Sequence, residues 1–439
     1  MVVSLNLNVM QKEVLNFYIV RSMQLWSLRH LIYFFIQNNM YKQNKKIYLD
    51  NAAATSMDLA VFRSIKKIEK KYYANPSALY ASAMEAKKYL EESRAQIAKI
   101  LAAQPDTIIF TNGGTQSCNL AIQGLFSHNS SNKSQGHIIT TKIEHHAVLL
   151  PIQELERQGY EVTYLSVDEN GIIDINELKK SFQENTVLVS IMYANNEVGS
   201  IQPIPEIGRE ILKWRKRNGT SFPYFHSDAC QAAGEQDIRV EHLHVDLLTL
   251  NASKIHGPKS VGVLYKRRNV PLEPIVFGGG QEFGLNPGTE DIGKAYGMAL
   301  ALSIAQNEKV KNSKHERNLC EKLYSELKKD LDGIILNGPA INSEQRLSNN
   351  LSIQFPGIDA EVMALYLSEK GVEVGLGSAC TTDSDEVSHV LSALGLCEKA
   401  AKSTLRFTLS KYTTESDIKK AKKYITETYK KLRQNTYEQ

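Results

Sequence analysis

The 439-residue sequence predicts an α/β domain with a seven-stranded, mostly parallel sheet, joined to a smaller α+β domain. Three observations predict it. Short apolar runs bounded by turn residues alternate with amphipathic helical stretches between Ile108 and Tyr265. Polar residues capable of chemistry follow several of these runs, where α/β sheets bind their ligands. Beyond a long helical region ending at Asp330, the pattern changes to alternating strands and two helices.

Residues 1–46 differ from the rest. Apolar runs such as Leu31-Ile32-Tyr33-Phe34-Phe35-Ile36 are broken by Arg21, Arg29 and His30, charges that argue against a spanning helix. With Glu13 as its only carboxylate, this N-terminal extension reads as an upstream segment of no catalytic consequence; a transit peptide or an amphipathic surface helix is the alternative. From Ile47 a short strand runs into Asp50-Asn51-Ala52-Ala53-Ala54-Thr55, a loop whose small residues let backbone approach a ligand. A turn at 72–77 follows, and 83–102 carries a helical period with Leu90, Ile97 and Leu101 on one side.

The strand at 108–111 leads into Asn112-Gly113-Gly114-Thr115-Gln116-Ser117 and a helix over 120–126. In form this is a phosphate cradle: glycines let main-chain amides face an oxyanion, the helix start adds its dipole, and Thr115 offers a hydroxyl. A plain turn is the bland alternative. Further strands are expected at 138–141, 162–167, 187–193, 224–227, 246–250 and 261–265, with helices at 147–158, 175–183 and 205–217 between several of them. A change of domain is expected near Ala305. That divides the chain into a large domain, 58–305, and a small domain made of 47–57 and 306–439. In the latter, strands at 351–355, 371–375 and 404–408 and a helix at 360–370 precede a final helix near Thr414, where Asp417 completes a cap.

With 52 basic and 48 acidic residues and no long block of one sign, nothing electrostatic favours a nucleic acid as a direct partner. Five irregularly spaced cysteines form neither a secreted disulfide framework nor a paired metal motif, so a reducing, cytoplasmic setting without a metal is expected; import through the N-terminal extension is the alternative.

The chemistry gathers at strand ends. Lys254 follows the strand at 246–250 and precedes a Gly-Pro turn, a setting in which a partly desolvated amine can form a Schiff base with a carbonyl cofactor or substrate. Glu144-His145-His146, Asn195-Asn196-Glu197 and Asp228-Ala229-Cys230-Gln231 follow three other strands. Singly, His145 would be a structural histidine and Asp228 a helix cap. Together with the glycine cradle they match the needs of pyridoxal phosphate: a lysine for the carbonyl, a carboxylate (Asp228) to keep the ring nitrogen protonated, a flat ring (His145) over the cofactor face, and a donor (Gln231) to the phenolic oxygen. In the second domain, Cys380 lies among flexible polar neighbours that keep its sulfur accessible. Arg406 is either a cross-strand charge or an anion clamp.

The chain from Ile47 to its end resembles the cysteine desulfurases, pyridoxal-phosphate enzymes of the class V aminotransferase superfamily and fold type I. The resemblance rests on Leu49-Asp50-Asn51, Thr111 to Ser117, Glu144-His145, Asn195 to Gly199, His226 to Gln231, Ser253 to Pro258, Gly278 to Glu282, Gly377 to Cys380 and Leu405-Arg406-Phe407. It implies that Lys254 holds the cofactor, His145 stacks on it and Asp228 pairs with its ring nitrogen. Asn196 and Gln231 would sit by the substrate and the phenolic oxygen. Gly114, Thr115, Asn251 and Ser253 would serve the phosphate, and Thr289 would reach the phosphate of a neighbouring subunit, which implies a homodimer. Arg406 would grip the carboxylate of L-cysteine. Cys380 would take the sulfur as a persulfide and carry it to an acceptor or scaffold protein, for iron-sulfur cluster assembly or tRNA thiolation. The sequence departs from the family at Asn251, Ser253, Gln116, Phe283, Asn286 and Val387. A selenocysteine lyase, another class V aminotransferase and a non-enzymatic adaptor are the alternative readings.

Overall fold

The computed structural model describes residues 46–128, 136–377 and 387–437, with side chains to 434. The N-terminal extension lies outside the described residues except Lys46. Two sheets organise the chain. The first runs β2 (Ile108–Thr111), β8 (Gly262–Lys266), β7 (Leu247–Asn251), β6 (Tyr224–Asp228), β5 (Thr186–Ser190), β3 (His137–Thr141), β4 (Glu161–Leu165) across its width. Every pairing from β7 to β4 is parallel; β8 alone runs the other way. Strands such as β2 and β3 are buried along their whole length, which explains why they read as continuous apolar runs and not as alternation. Helices cover both faces, among them α2 (Ala81–Leu101), α3 (Gly114–His128), α4 (His146–Arg157), α5 (Ile175–Ser181) and α6 (Ile204–Asn218).

The second sheet runs β1 (Ile47–Leu49), β11 (Val372–Leu376), β12 (Thr404–Thr408), β10 (Asn350–Gln354), β9 (Ile335–Leu336). The first strand of the described chain therefore pairs, in parallel, with one more than three hundred residues later. Helix α8 (Ile292–Asp330) joins the two bodies: Met298 and Leu302 pack on the core of the large sheet, whereas Leu319, Leu323 and Leu327 pack on that of the small one. Helices α9 (Ala360–Glu369) and α12 (Glu415–Tyr437) cover the small sheet; Thr414 and Asp417 exchange side-chain-to-backbone hydrogen bonds at the start of α12.

Three expectations change. Helix α3 starts at Gly114, six residues before the expected 120, so the glycine cradle includes the helix's first turn. The strand expected over 187–193 ends at Ser190, because Ile191 to Tyr193 leave the sheet while staying buried. A helix that the sequence reading lacks, α1 (Leu59–Lys71), buries Val61, Ile65 and Ile68 at helical spacing, with Asp58 capping it.

Candidate active site

The loops at the carboxyl ends of the parallel strands meet the small domain around a cavity of about 210 Å³. β7 tightens into one 3₁₀ turn, Ala252–Lys254, and this sets Lys254 in the cavity wall. Its Nζ donates to the carbonyls of Ala52 (2.8 Å) and Ala53 (2.7 Å). The Ala52–Ala53 loop therefore carries the amine's contacts, and it is anchored at both ends. Ala52 N donates to Thr408 Oγ1 at 2.9 Å, and both Thr55 N and Oγ1 donate to the Ser253 carbonyl at 2.9 Å.

β6 ends at Asp228, whose Oδ1 accepts from Cys230 N at 2.9 Å and whose Oδ2 lies 3.8 Å from Cys118 Sγ. Gln231 Nε2 donates to the Ala52 carbonyl at 3.0 Å. Past β3, His145 caps α4, its Nδ1 accepting from Ala147 N at 3.0 Å, so the neutral ring carries its proton on Nε2. Burial holds this imidazole below its usual pKa, reinforced by Lys254 and opposed by Asp228. Beneath the turn, Glu144 is fully buried.

At the end of β2, Gly113 takes φ +124°, and a Cβ on Gly114 would stand 2.8 Å from Cys230 Sγ. Only glycine lets the start of α3 approach this wall. Thr115 follows, exposed in the first turn. Asn251 Oδ1 accepts from Ser253 N (3.2 Å) and Ser253 Oγ (3.1 Å), which turns the serine hydroxyl toward the asparagine.

The small sheet contributes Arg406, 1 % exposed. Its Nη2 pairs with Asp50 Oδ1 at 2.7 Å, and Nη1 donates to the carbonyls of Asn196 (3.1 Å) and Gly377 (3.4 Å). Nε is buried without a partner. Glu197 accepts from Ser388 Oγ at 2.5 Å, and burial pushes its carboxyl up to about 7.

Lys254, His145, Gly114, Thr115, Asn196, Asp228, Gln231, Asn251 and Arg406 thus line one cavity. Ser253 stands behind Asn251, away from the lining, and Thr289 is exposed and also apart from it. Cys380 lies outside the described residues. Sequence reasoning assigned no role to Asp50, Glu144, Glu197 or His389; the first three sit inside motifs it had singled out, whereas His389 carried no signal. Two departures from the family pattern meet each other: Gln116 Nε2 donates to Asn286 Oδ1 at 2.8 Å, and Asn286 Nδ2 donates to the Phe110 carbonyl at 2.9 Å. An amide pair spans the place where the resemblance leads one to expect an acid and an arginine. Among the described residues, no cluster of three His, Cys, Asp or Glu side chains could hold a metal ion, and no helix is long and apolar enough to cross a membrane.

The family model described as aminotransferase class-V matches residues 47–421, and the chain belongs to that family. A cysteine desulfurase IscS from Dictyoglomus turgidum is 41% identical over 375 residues, covering 85% of this chain and 92% of the relative. A solved NifS-like protein superposes with a TM-score of 0.80 at 36% identity, over 88% of this chain and all of that one; a structure titled SspA in complex with cysteine does so with 0.69 at 33%, over 84% of this chain and all of its own. Within the class V aminotransferases, the chain is a member of the cysteine desulfurases.

Proposed function

We propose that the protein converts L-cysteine to L-alanine with pyridoxal 5'-phosphate as cofactor, Cys380 receiving the sulfur as a persulfide for delivery to an acceptor or scaffold protein. One observation carries the reading: an amine, a carboxylate and a neutral imidazole from three strand ends of the large sheet, and a buried guanidinium from the middle of β12 in the small one, converge on a single cavity. Membership of the desulfurase family supports it.

The residues fit the cofactor. The wall at Gly114 has no room for a side chain, the Arg406 Nε lacks a partner, and Asp228 ends its strand inside the cavity. When bound, pyridoxal phosphate supplies an electron sink that makes the substrate's α-proton acidic. Lys254 would hold it, and the same amine, once released, moves the proton at the substrate's α-carbon. Asp228 would hold a proton at the ring nitrogen, His145 would lie against the ring with no cation to desolvate, and Gln231 would leave the Ala52 carbonyl for the phenolic oxygen. Gly114 and Thr115 would offer the amide end of α3 to the phosphate, with Asn251 and Ser253 beside them and Thr289 of a second copy completing the site, so the working form would be a homodimer. Arg406, held by Asp50 and the Asn196 carbonyl, would receive the α-carboxylate.

The acceptor would serve iron-sulfur cluster assembly or tRNA thiolation, in the cytoplasm. The test is a visible spectrum of the purified protein, with alanine release from cysteine in the absence of any keto acid. A cofactor band and keto-acid-independent alanine are expected. Replacing Cys380 with serine should abolish persulfide and leave the band. An uncoloured protein, or alanine formed only with a keto acid, refutes the reading.

A further inference from the structure

Glu144 stands in the wall of the cavity next to His145. The carboxyl is 0 % exposed. Oε1 accepts two hydrogen bonds, from Thr141 Oγ1 at 2.7 Å and Met192 N at 2.9 Å, while Oε2 is buried with no partner. Among the described residues no lysine, arginine or histidine forms an ion pair with it. The titratable groups around it are Asp228, the Cys118 thiol and the imidazoles of His145 and His389, the last donating from Nε2 to the Glu144 carbonyl at 2.8 Å. Asp228 repels a second anion. A bare, buried carboxylate oxygen beside another carboxylate is a costly arrangement, and a proton on that oxygen removes the charge. Burial accordingly pushes the acid up to about 8.

We propose that Glu144 works as a neutral, proton-bearing acid: a positioning residue that ties the His145 turn to the segment leaving β5 and keeps a second negative charge away from Asp228. Thr141 lies at the end of β3, Met192 just beyond β5, and His389 in the short helix His389–Ala393, so a single residue joins three segments behind the imidazole. The ionised form would do this less well. It would place a second negative charge beside Asp228, which repels it, and leave its own Oε2 charged and bare in a buried site. The functional part of this assignment rests on the pyridoxal-phosphate reading of the cavity; the protonation state does not.

Two measurements separate the cases. The infrared difference spectrum of cofactor-free wild type minus E144Q at pH 7 should show a protonated-carboxyl carbonyl stretch belonging to Glu144; a carboxylate band in its place overturns the proposal even if the enzyme is a desulfurase. E144A should lose roughly tenfold or more in alanine release and retain the cofactor band less well after dialysis, because Thr141 and Met192 lose their acceptor and the imidazole shifts. E144Q, neutral and nearly isosteric, should recover most of that loss. Equal loss in E144Q and E144A, with both variants folded by circular dichroism, overturns the neutral-acid role. If E144A does not fold, E144Q and the infrared spectrum still decide. A wild type with no cofactor band would sink the functional reading and leave the infrared result to judge Glu144 alone.

Discussion

Arg94→Met tests how the loop leading to Thr289 is held. Arg94 and Glu282 form a two-pronged pair, Nη1 to Oε2 at 2.8 Å and Nη2 to Oε1 at 2.7 Å, with both side chains no more than 4% exposed. Arg94 Nη1 also donates to the Ile108 carbonyl at 2.6 Å, and Phe110 N donates to Glu282 Oε2 at 2.7 Å, so the pair binds helix α2, strand β2 and the 278–288 loop together. The guanidinium lies between the Phe110 and Phe283 rings, 5.0 and 5.2 Å from their centroids. Methionine fills most of the space but leaves a buried carboxylate with a single amide donor and a bare Ile108 carbonyl. Breaking one side of a buried pair costs about 3–5 kcal/mol. Replacing both partners removes the stranded charge, so R94M/E282M should be closer to wild type than R94M alone, with a coupling of about 2 kcal/mol or more in the favourable sense. The assay is denaturant unfolding of the cofactor-free single and double variants, with cofactor retention as a second readout, since the loop leads to Thr289. A cost under about 1 kcal/mol for R94M, or a double variant as weak as the sum of the singles, would refute the reasoning.

Three further outcomes are expected. Arg406→Lys should raise the KM for cysteine by roughly tenfold or more with a smaller effect on kcat, because a point charge cannot keep Asp50 and Asn196 while also gripping a carboxylate in two places; an unchanged KM in steady-state kinetics places the carboxylate elsewhere. Glu197 ionises near pH 7 in the folded protein and near 4.5 unfolded, so its protonated form stabilises at low pH and that contribution is lost as pH rises through about 7. E197Q should therefore gain on wild type in unfolding free energy between pH 5 and 7, by at most roughly 3 kcal/mol, read by denaturant unfolding across that range; a pH-independent gap between them contradicts the burial argument. Gly114→Ala should weaken cofactor retention, since the added methyl meets Cys230 Sγ, and Cys230→Ala in the same chain should restore part of it; no rescue in a dialysis assay would place the crowding elsewhere.

The sheet was readable because its inner strands are buried on both faces and so appear as unbroken apolar runs. The same property hid their ends. Ile191, Met192 and Tyr193 stay buried after leaving the sheet, and no residue type marks where hydrogen bonding to β6 stops. The reversed direction of β8 is equally silent, since Gly262 to Lys266 pack as a parallel strand would. Helix α1 is a different case: Val61, Ile65 and Ile68 recur at helical spacing after a capping Asp58, a pattern present in the letters and left unread.

The site divides along similar lines. Residues whose chemistry is unusual for their type, a lysine or an acid at the end of an apolar run, announce themselves in a sequence. Residues that act by occupying another's remaining valence do not. Asp50 matters because Arg406, 356 residues further along the chain, turns one guanidinium nitrogen to it; Glu144 matters because one of its oxygens has found two donors and the other none. The first of these facts depends on the parallel pairing of β1 with β11, which brings the small-residue loop under the large sheet's strand ends and lets Ala52 and Ala53 hold Lys254. The cavity is therefore closed by the first strand of the described chain, so a change that loosened β1, such as a charge at buried Leu49, would reach the lysine through the alanine carbonyls without touching the large domain.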